Sequence, residues 1–205
     1  MPQAIISVIC AYLLGSVSFS ILVARWLRKI DIRQHGSGNA GATNTLRVLG
    51  VGPAIAVFVL DVLKGTAAVA LGWWASPDMP WVPVAAGLAA VIGHNWPLYF
   101  RFKGGKGIAT TIGVMTPLAF VPMLLAALAA IATIALTRYV SLGSLVLAAL
   151  LPVLTASLGS DPAVIAGAAA VCVLAFVRHR HNIVKLLNGT ENRLGNNKKV
   201  GHRDA

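Results

Sequence analysis

Residues 33–47, RQHGSGNAGATNTLR, combine glycine, amide, hydroxyl and arginine side chains at high density. Glycine lets successive backbone N–H groups converge on one anion, and Ser, Thr and Asn side chains add further hydrogen-bond donors. An arginine can bind two phosphate oxygens at once. A flexible hydrophilic linker is the alternative, although linkers seldom carry these residue types so densely. The residues predicted to form an anion site here are Ser37, Gly38, Asn39, Thr43, Asn44 and Arg47.

A second polar segment, GHNWPLYFRFKGGKGIAT at 93–110, ends in a glycine-flanked lysine that enters a short apolar run. A lysine in such a loop, just before a helix N-terminus, is well suited to bind phosphate. The spacing is not that of a Walker A loop, because Phe100 stands where its first glycine is required and no Ser or Thr follows the lysine. The candidate ligands are Gly104, Gly105, Lys106 and Gly107, with His94 and Asn95 as supporting residues.

Asp61 and Lys64 stand three residues apart inside an apolar run. Charges inside a membrane are costly and tend to be functional, and this spacing lets the two side chains pair on one helix face. A structural ion pair facing the bundle interior and direct membership of a site remain equally open interpretations.

Two further groups of polar residues follow the later apolar runs. Arg138, Ser141 and Ser144, at the end of one run, are weak evidence for a site, because any short cytoplasmic loop tends to carry an arginine. The segment 178–191, RHRHNIVKLLNGTE, is stronger evidence. His179 and Asn182 are separated by one helical turn and could face a substrate together. The remaining pattern of 178–191 indicates an amphipathic helix on the membrane surface, with Lys185 as an anchor and Glu191 as a supporting residue.

The composition places these segments in a membrane protein. Of 205 residues, 57% are hydrophobic and 11% are charged, whereas soluble domains carry about 25% charged residues. The net charge of +11 does not indicate nucleic-acid binding, because the basic residues fall in short clusters between apolar runs and no binding motif accompanies them. Cys10 and Cys172 lie inside apolar runs and are interpreted as small core residues.

The direction of the apolar runs follows from the basic residues. If 108–117 crosses separately from 118–137, as a hairpin broken around Pro117 and Pro122, every Lys and Arg except Lys64 falls on one side. The positive-inside rule favours that arrangement, which gives seven crossings with the N-terminus outside and the C-terminus in the cytoplasm. The first run lacks a basic leader and is expected to be retained. The predicted spans are 4–24, 53–75, 81–95, 108–117, 118–137, 142–158 and 163–177.

We therefore expect a single all-α membrane domain over 1–205, in which one of seven transmembrane helices is short and glycine-rich cytoplasmic loops form the site. Residues 178–205 form its cytoplasmic C-terminal segment, of which 196–205 are expected to be disordered. The segments predicted to bind phosphate all end on the cytoplasmic face of the membrane, next to lipid. This placement suggests a phosphorylated substrate that also carries a long apolar chain. A transporter or channel for a small anionic solute is the alternative; it would need polar residues continuing through several spans.

The segments GSGNAGATN, DVLKG, GHNWPLYFRFKGGKG, RYVS and HRHNIVKLLNGTE occur in this order. Together they resemble the bacterial acyl-phosphate:glycerol-3-phosphate acyltransferases, the PlsY family. The resemblance implies transfer of a fatty acyl group from acyl phosphate to sn-glycerol 3-phosphate, giving lysophosphatidic acid and inorganic phosphate, in the bacterial inner membrane. No cofactor, metal, nucleic acid or obligate protein partner is expected.

Roles for the candidate residues follow as expectations. Ser37, Lys106 and the glycine loop should bind phosphate, and Arg47 should hold the glycerol phosphate. Lys106 should also stabilise charge that develops on the leaving phosphate. His179 and Asn182 should orient the glycerol hydroxyls, and either His179 or a substrate phosphate oxygen should accept the proton.

Overall fold

The computed structural model describes residues 1–195, and the tail predicted to be disordered, 196–205, lies outside the described residues. Within 1–195 the secondary structure is entirely helical. The α-helices are α1 Pro2–Gly15, α2 Phe19–Arg28, α3 Ala42–Leu49, α4 Val51–Ala75, α5 Trp81–Asn95, α6 Ile108–Leu118, α7 Phe120–Thr137, α8 Val140–Ser157, α9 Pro162–Arg178 and α10 Arg180–Leu187.

The helices α4 to α9 begin and end within two residues of the corresponding apolar runs. By length and composition, four helical stretches of the described chain could cross a membrane, and a fifth results if the bent pair α9–α10 is taken as one. Two further apolar helices, α5 and α6, are short, with 15 and 11 residues. Short helices are tolerated at membrane depth where neighbouring protein covers their ends.

The first apolar run, predicted as a span over 4–24, lies within the helical stretch Pro2–Arg28, which is long and apolar enough to cross a membrane. It is interrupted between α1 and α2, where Ser18 has extended backbone angles. The break removes a helical partner from the carbonyl oxygen of Val17, and the Lys64 ammonium donates to that oxygen at 2.8 Å. A buried cation on α4 therefore satisfies a backbone group that the break exposes, as a bilayer requires. This compensation between distant residues was not visible in the apolar pattern.

The break between α6 and α7 lies at Ala119, between the two prolines that predicted it. Pro117 occupies the last turn of α6 and Pro122 the first turn of α7. A proline near the start of a helix costs little, because its missing N–H group would have no helical partner there. The two prolines therefore flank the break at Ala119, and each lies within a helix.

Glycine lets the short helix α6 pack closely on α4. A methyl group added to Gly65 would overlap the carbonyl oxygen of Thr110, and one added to Gly113 would overlap that of Val62. The same device joins α1 to α5, where Gly15 and Gly93 each face backbone of the other helix. Small residues at such crossings allow the dispersion contacts that hold membrane helices together.

The apolar side chains divide between a core and an outer surface that suits lipid. Val114, Met115 and Leu151 are fully buried where α5 to α9 meet, whereas Ile131 on α7 is 62% exposed. The cysteines differ from the prediction that both are core residues, because Cys10 is exposed and Cys172 is partly buried.

A second small cluster supports the polar loops. Ile21 and Ala24 of α2 pack with Ile32, Ala40 and Phe100. The two polar segments predicted as anion sites therefore share one apolar base, which fixes them side by side.

Candidate active site

A cavity of about 650 Å³ opens where the loops between α2 and α3 and between α5 and α6 meet the ends of α8, α9 and α10. Its loop end is polar, and it continues between α4, α6, α7 and α8. Most of the residues singled out from the sequence line this one cavity, although they come from distant parts of the chain. They are Ser37, Gly38, Asn39, Thr43, Asn44, Arg47, Asp61, His94, Gly104, Lys106, Gly107, Ser141, Ser144, His179, Asn182 and Glu191.

Gly105, Lys64, Asn95 and Arg138 do not line the cavity. Asn95 is fully buried behind the second loop, next to Gly107. Arg138 has left-handed backbone angles at the end of α7, and its carbonyl oxygen accepts from the Leu194 N–H group at 2.8 Å. Arg138 thus fastens the C-terminal segment outside the cavity.

The first polar segment is partly helical, a feature that its glycine content did not predict. A short 3-10 helix, Ile32–Gln34, leads into an irregular loop over 35–41, and Arg47 lies on the short helix α3 that follows. Gly36 and Gly38 take left-handed backbone angles, with φ of 62° and 73°, which glycine adopts without strain. Ser37 and Arg47 are both exposed at the cavity.

Asn44 differs from its predicted role as a direct phosphate ligand. Its side-chain oxygen accepts from the Ser37 N–H group at 2.8 Å, and its amide nitrogen donates to the carbonyl oxygens of Ile32 and His35 at 3.1 and 3.0 Å. The side chain is almost completely buried. We therefore interpret Asn44 as a brace that shapes the loop carrying Ser37.

An ion pair ties the first loop to the second. Arg33 binds the Asp31 carboxylate with a shortest distance of 2.6 Å, and the same guanidinium donates to the carbonyl oxygen of Phe100 at 2.9 Å. Arg33 lowers the pKa of the Asp31 carboxyl to about 2, so the pair stays charged at physiological pH. This pair, like the shared apolar base, keeps the two loops adjacent.

The glycines of the second loop were predicted to form an anion nest, and they also allow close packing against His94. A methyl group on Gly105 would overlap the His94 imidazole, and one on Gly104 would overlap the His94 carbonyl oxygen. The Gly105 N–H group donates to that oxygen at 3.1 Å, so it is not available to a phosphate. Gly107 has a φ of 83° and caps α6. The first N–H groups of α6 have no helical partners and can bind an anion.

Lys106 and Asn182 belong to one chain of polar contacts. The Lys106 ammonium donates to the Asn182 oxygen at 2.5 Å, and the Asn182 amide donates to the Glu191 carboxylate at 2.9 Å. The same carboxylate oxygen accepts from the Ser141 hydroxyl at 3.0 Å. Burial lowers the Lys106 pKa to about 8, an effect that Glu191 partly opposes.

His179 is buried where α9 ends, and its Nδ1 lies 2.8 Å from the Ala175 carbonyl oxygen. A carbonyl only accepts, so Nδ1 carries the hydrogen and Nε2 has the free lone pair. Burial, and then the charge of Lys106, lower the His179 pKa to about 4. His179 is therefore a neutral hydrogen-bond acceptor at physiological pH.

Asp61 and Lys64 form a buried ion pair at 2.7 Å. The Lys64 ammonium also lies 3.0 Å from His94 Nδ1, and the carbonyl oxygen of His94 holds the second loop. Lys64 thus connects the broken first helix to the loop that carries Lys106. Of the two interpretations left open by the sequence, a structural ion pair describes Lys64, which does not line the cavity. Asp61 does line the cavity and so also belongs to the candidate site.

Arg178 is the residue that the sequence analysis missed. Its guanidinium donates to the carbonyl oxygens of Gly104 and Gly105, and it stacks 5.2 Å from the ring centroid of Trp96. In the sequence it was one more basic residue beside His179, and only its place next to that histidine could have drawn attention to it. Lys185, interpreted as a membrane anchor, also lines the cavity, together with Arg180 and His181.

The remaining wall of the cavity is apolar and includes side chains that are exposed, such as Ile131. It is formed by side chains of α4, α6, α7 and α8, among them Phe58, Ile112, Ile131, Ile134 and Leu147. A basic polar end and an apolar slot within one cavity suit an amphiphile with a phosphate at one end. Within residues 1–195, no three His, Cys, Asp or Glu side chains are grouped so that they could hold a metal ion.

Comparisons with known proteins show the family of this chain. Residues 5–189 match the model of the family described as glycerol-3-phosphate acyltransferase. A protein of that name from Halalkalibacterium halodurans is 55% identical over 94% of this chain and 96% of its own length. The protein of that name from Shouchella clausii is 54% identical over 93% and 96% of the two chains.

Two crystal structures of PlsY (YgiH), an integral membrane glycerol 3-phosphate acyltransferase, share the fold. The glycerol 3-phosphate form has a TM-score of 0.89 and 39% identity, covering 94% of this chain and 96% of the other. The lysophosphatidic acid form has a TM-score of 0.87 and 38% identity, covering 94% and 95%. This chain is an integral membrane protein with several apolar helices, and it belongs to the glycerol-3-phosphate acyltransferase family.

Proposed function

We propose that the protein transfers a fatty acyl group from acyl phosphate to the 1-hydroxyl of sn-glycerol 3-phosphate. The products are lysophosphatidic acid and inorganic phosphate, so the reaction begins phospholipid synthesis. The observation that carries this proposal is the single cavity in which a basic loop end continues into an apolar slot. Both substrates carry phosphate, and one also carries a long apolar chain, which matches those two parts.

The cationic groups divide naturally between two phosphates. Arg47 has no protein hydrogen-bond partner within the described chain and is free to bind the phosphate of glycerol 3-phosphate in a bidentate manner. Lys106 and the start of α6 lie next to the apolar slot and suit the acyl phosphate. Ser37 and Asn39 contribute donors from the first loop and Thr43 contributes one from the start of α3, while Ser144 lines the cavity from α8. Gly38 shapes the loop instead, because its N–H group already donates to the His35 carbonyl oxygen at 3.1 Å.

In the reaction, the glycerol hydroxyl oxygen attacks the acyl carbonyl carbon, and the bond from that carbon to the phosphate oxygen breaks. The phosphate leaves with the electron pair. Lys106 and the N–H groups of α6 stabilise the charge on the tetrahedral intermediate and the leaving phosphate. An acyl phosphate is an activated donor, so positioning and charge stabilisation account for the catalysis.

The hydroxyl proton goes to a substrate phosphate oxygen in this proposal. A base is most effective when its pKa lies near the operating pH, and the His179 pKa of about 4 makes the imidazole a weak base. Its free Nε2 suits the orientation of a glycerol hydroxyl instead. Asn182, fixed between Lys106 and Glu191, presents its amide beside it.

The alternative function, transport of a small anion, would need a polar path through the helices. Asp61 and Lys64 are the charged side chains buried within α4, and they pair with each other at 2.7 Å. Within residues 1–195 they therefore leave no chain of free charges through the helices away from the cavity, which favours the enzyme.

For the topology, we propose seven crossings, formed by the α1–α2 run and by α4 to α9. The N-terminus would lie outside, and the cavity and C-terminus in the cytoplasm of a bacterial cell, at its inner membrane. The support is the clustering of basic residues at the cavity end, because cytoplasmic loops carry the excess of Lys and Arg.

Purified protein given palmitoyl phosphate and glycerol 3-phosphate should release phosphate and form lysophosphatidic acid. Arg47→Ala and Lys106→Ala should each lower turnover about 100-fold or more, because each removes a cation from the transition state. Arg28→Ala and Lys103→Ala are matched controls, since both side chains are exposed and lie outside the cavity. Anion transport by wild-type protein without acyl transfer would contradict the proposal.

Because deprotonation removes its charge, Lys106 should make kcat/KM fall as pH rises through about 8, its pKa in the folded protein. The loss should approach tenfold per pH unit, as for one essential proton. Lys106→Arg should remove this basic limb, since arginine keeps its charge. A profile whose basic limb is the same in both proteins would assign the titration to another group.

Fusions to the chain test the proposed topology. Alkaline phosphatase fused after Ser160 should be active in intact bacteria, because the loop between α8 and α9 is placed outside. The same reporter fused after Leu187, at the end of α10, should be inactive, while green fluorescent protein there should fluoresce. The reverse pattern would show that the cavity opens on the outer side.

A further inference from the structure

Within the described part of the chain, Arg178 donates hydrogen bonds to backbone and not to a charged side chain. Its Nε and Nη2 lie 3.0 and 2.6 Å from the Gly105 carbonyl oxygen, and Nη2 lies 3.2 Å from that of Gly104. We propose that Arg178 is a positioning residue for the phosphate loop, holding it so that the backbone N–H group of Lys106 can face an anion. This inference rests on the acyl transfer proposed above.

The geometry of the peptide bond makes this contact directional. No cis peptide bond occurs within the described residues, and in a trans peptide the C=O and N–H groups point in opposite directions. When Arg178 binds the Gly105 oxygen, it also fixes the direction of the Lys106 N–H group. The preceding peptide is held from both sides, because Arg178 binds the Gly104 oxygen and the His94 oxygen accepts from the Gly105 N–H group.

The electrostatics explain why such a clamp is needed. A carbonyl oxygen that faced a phosphate would repel it, whereas an N–H group attracts it. Glycines at 104 and 105 have no side chains with which to fix their own peptide planes, and close packing against His94 leaves no room for any. The orientation of the loop must therefore come from partners outside it, and Arg178 provides them from the end of α9.

Arginine suits this place better than lysine. The planar guanidinium donates to two acceptors at fixed angles. It also stacks on Trp96, with 5.2 Å between the Arg178 Cζ atom and the ring centroid. Trp96 lies in the same connection between α5 and α6 as Gly104 and Gly105. The segment that Arg178 orders therefore also carries the ring on which Arg178 stacks. A lysine ammonium would keep the charge but lose both the fork and the stacking.

The test compares Arg178→Lys and Trp96→Leu with wild-type protein, varying palmitoyl phosphate and glycerol 3-phosphate separately. Arg178→Lys should raise the KM of at least one substrate about tenfold to 100-fold, as for the loss of charge-assisted hydrogen bonds. Its kcat should change less than its KM. Trp96→Leu keeps the guanidinium and should raise the same KM by a smaller factor. Arg28→Lys, on an exposed side chain of α2, is the control and should change neither constant.

The outcomes separate this inference from the proposed function. Wild-type protein that transfers no acyl group would remove the proposed function itself. Active wild-type protein together with an Arg178→Lys variant of unchanged KM for both substrates would overturn the inference alone, since charge would then suffice. An Arg178→Lys variant with reduced kcat and unchanged KM would also overturn it, because the residue would then act in the chemical step. Should Arg178→Lys fail to fold, an unchanged KM in Trp96→Leu would overturn it.

Discussion

Peptide groups that leave the helical pattern beside a bilayer must find partners within the protein, because lipid offers none. The structure depends on how this requirement is met. Lys64 donates to the Val17 carbonyl oxygen where the first apolar run breaks, and the Asn44 amide binds carbonyl oxygens of the first polar loop. Arg178 does the same for Gly104 and Gly105 in the second loop. Buried and half-buried polar side chains thus stabilise the irregular backbone from which the cavity is built.

In the proposed function, the same arrangement makes the cavity selective for anions. Carbonyl oxygens of both loops are bound by scaffold side chains, and the cations that remain for a ligand include the Lys106 ammonium and the Arg47 guanidinium. The Lys106 ammonium donates to the Asn182 side-chain oxygen, and the Asn182 amide donates to the Glu191 carboxylate. Such preorganised donors act on developing charge without having to reorient during the reaction. The apolar slot begins directly beside them, so one amphiphilic substrate can occupy both parts of the cavity.

The apolar runs of the sequence locate α4 to α9, and the residue types at 37, 47, 106, 179 and 182 predict the phosphate chemistry that we propose. What could not be predicted depends on contacts between distant residues. The break after α1 is stabilised from α4, Asn44 turns inward as a brace, and Gly105 packs on His94 instead of facing the cavity. Arg178 looks like any basic residue until its partners are known. Sequence patterns report local preferences, whereas these roles arise from tertiary hydrogen bonds.

The central claim is that separate segments form one phosphate-binding cavity, and ligand protection tests it most directly. In protein whose native cysteines are replaced by alanine, single cysteines at Thr43 on α3 and Lys185 on α10 would stand on walls contributed by distant parts of the chain. Glycerol 3-phosphate should slow alkylation of both cysteines with the same concentration dependence, while a cysteine at the exposed Ser157 should react unchanged. Protection of one wall without the other, or at clearly different concentrations, would contradict the account.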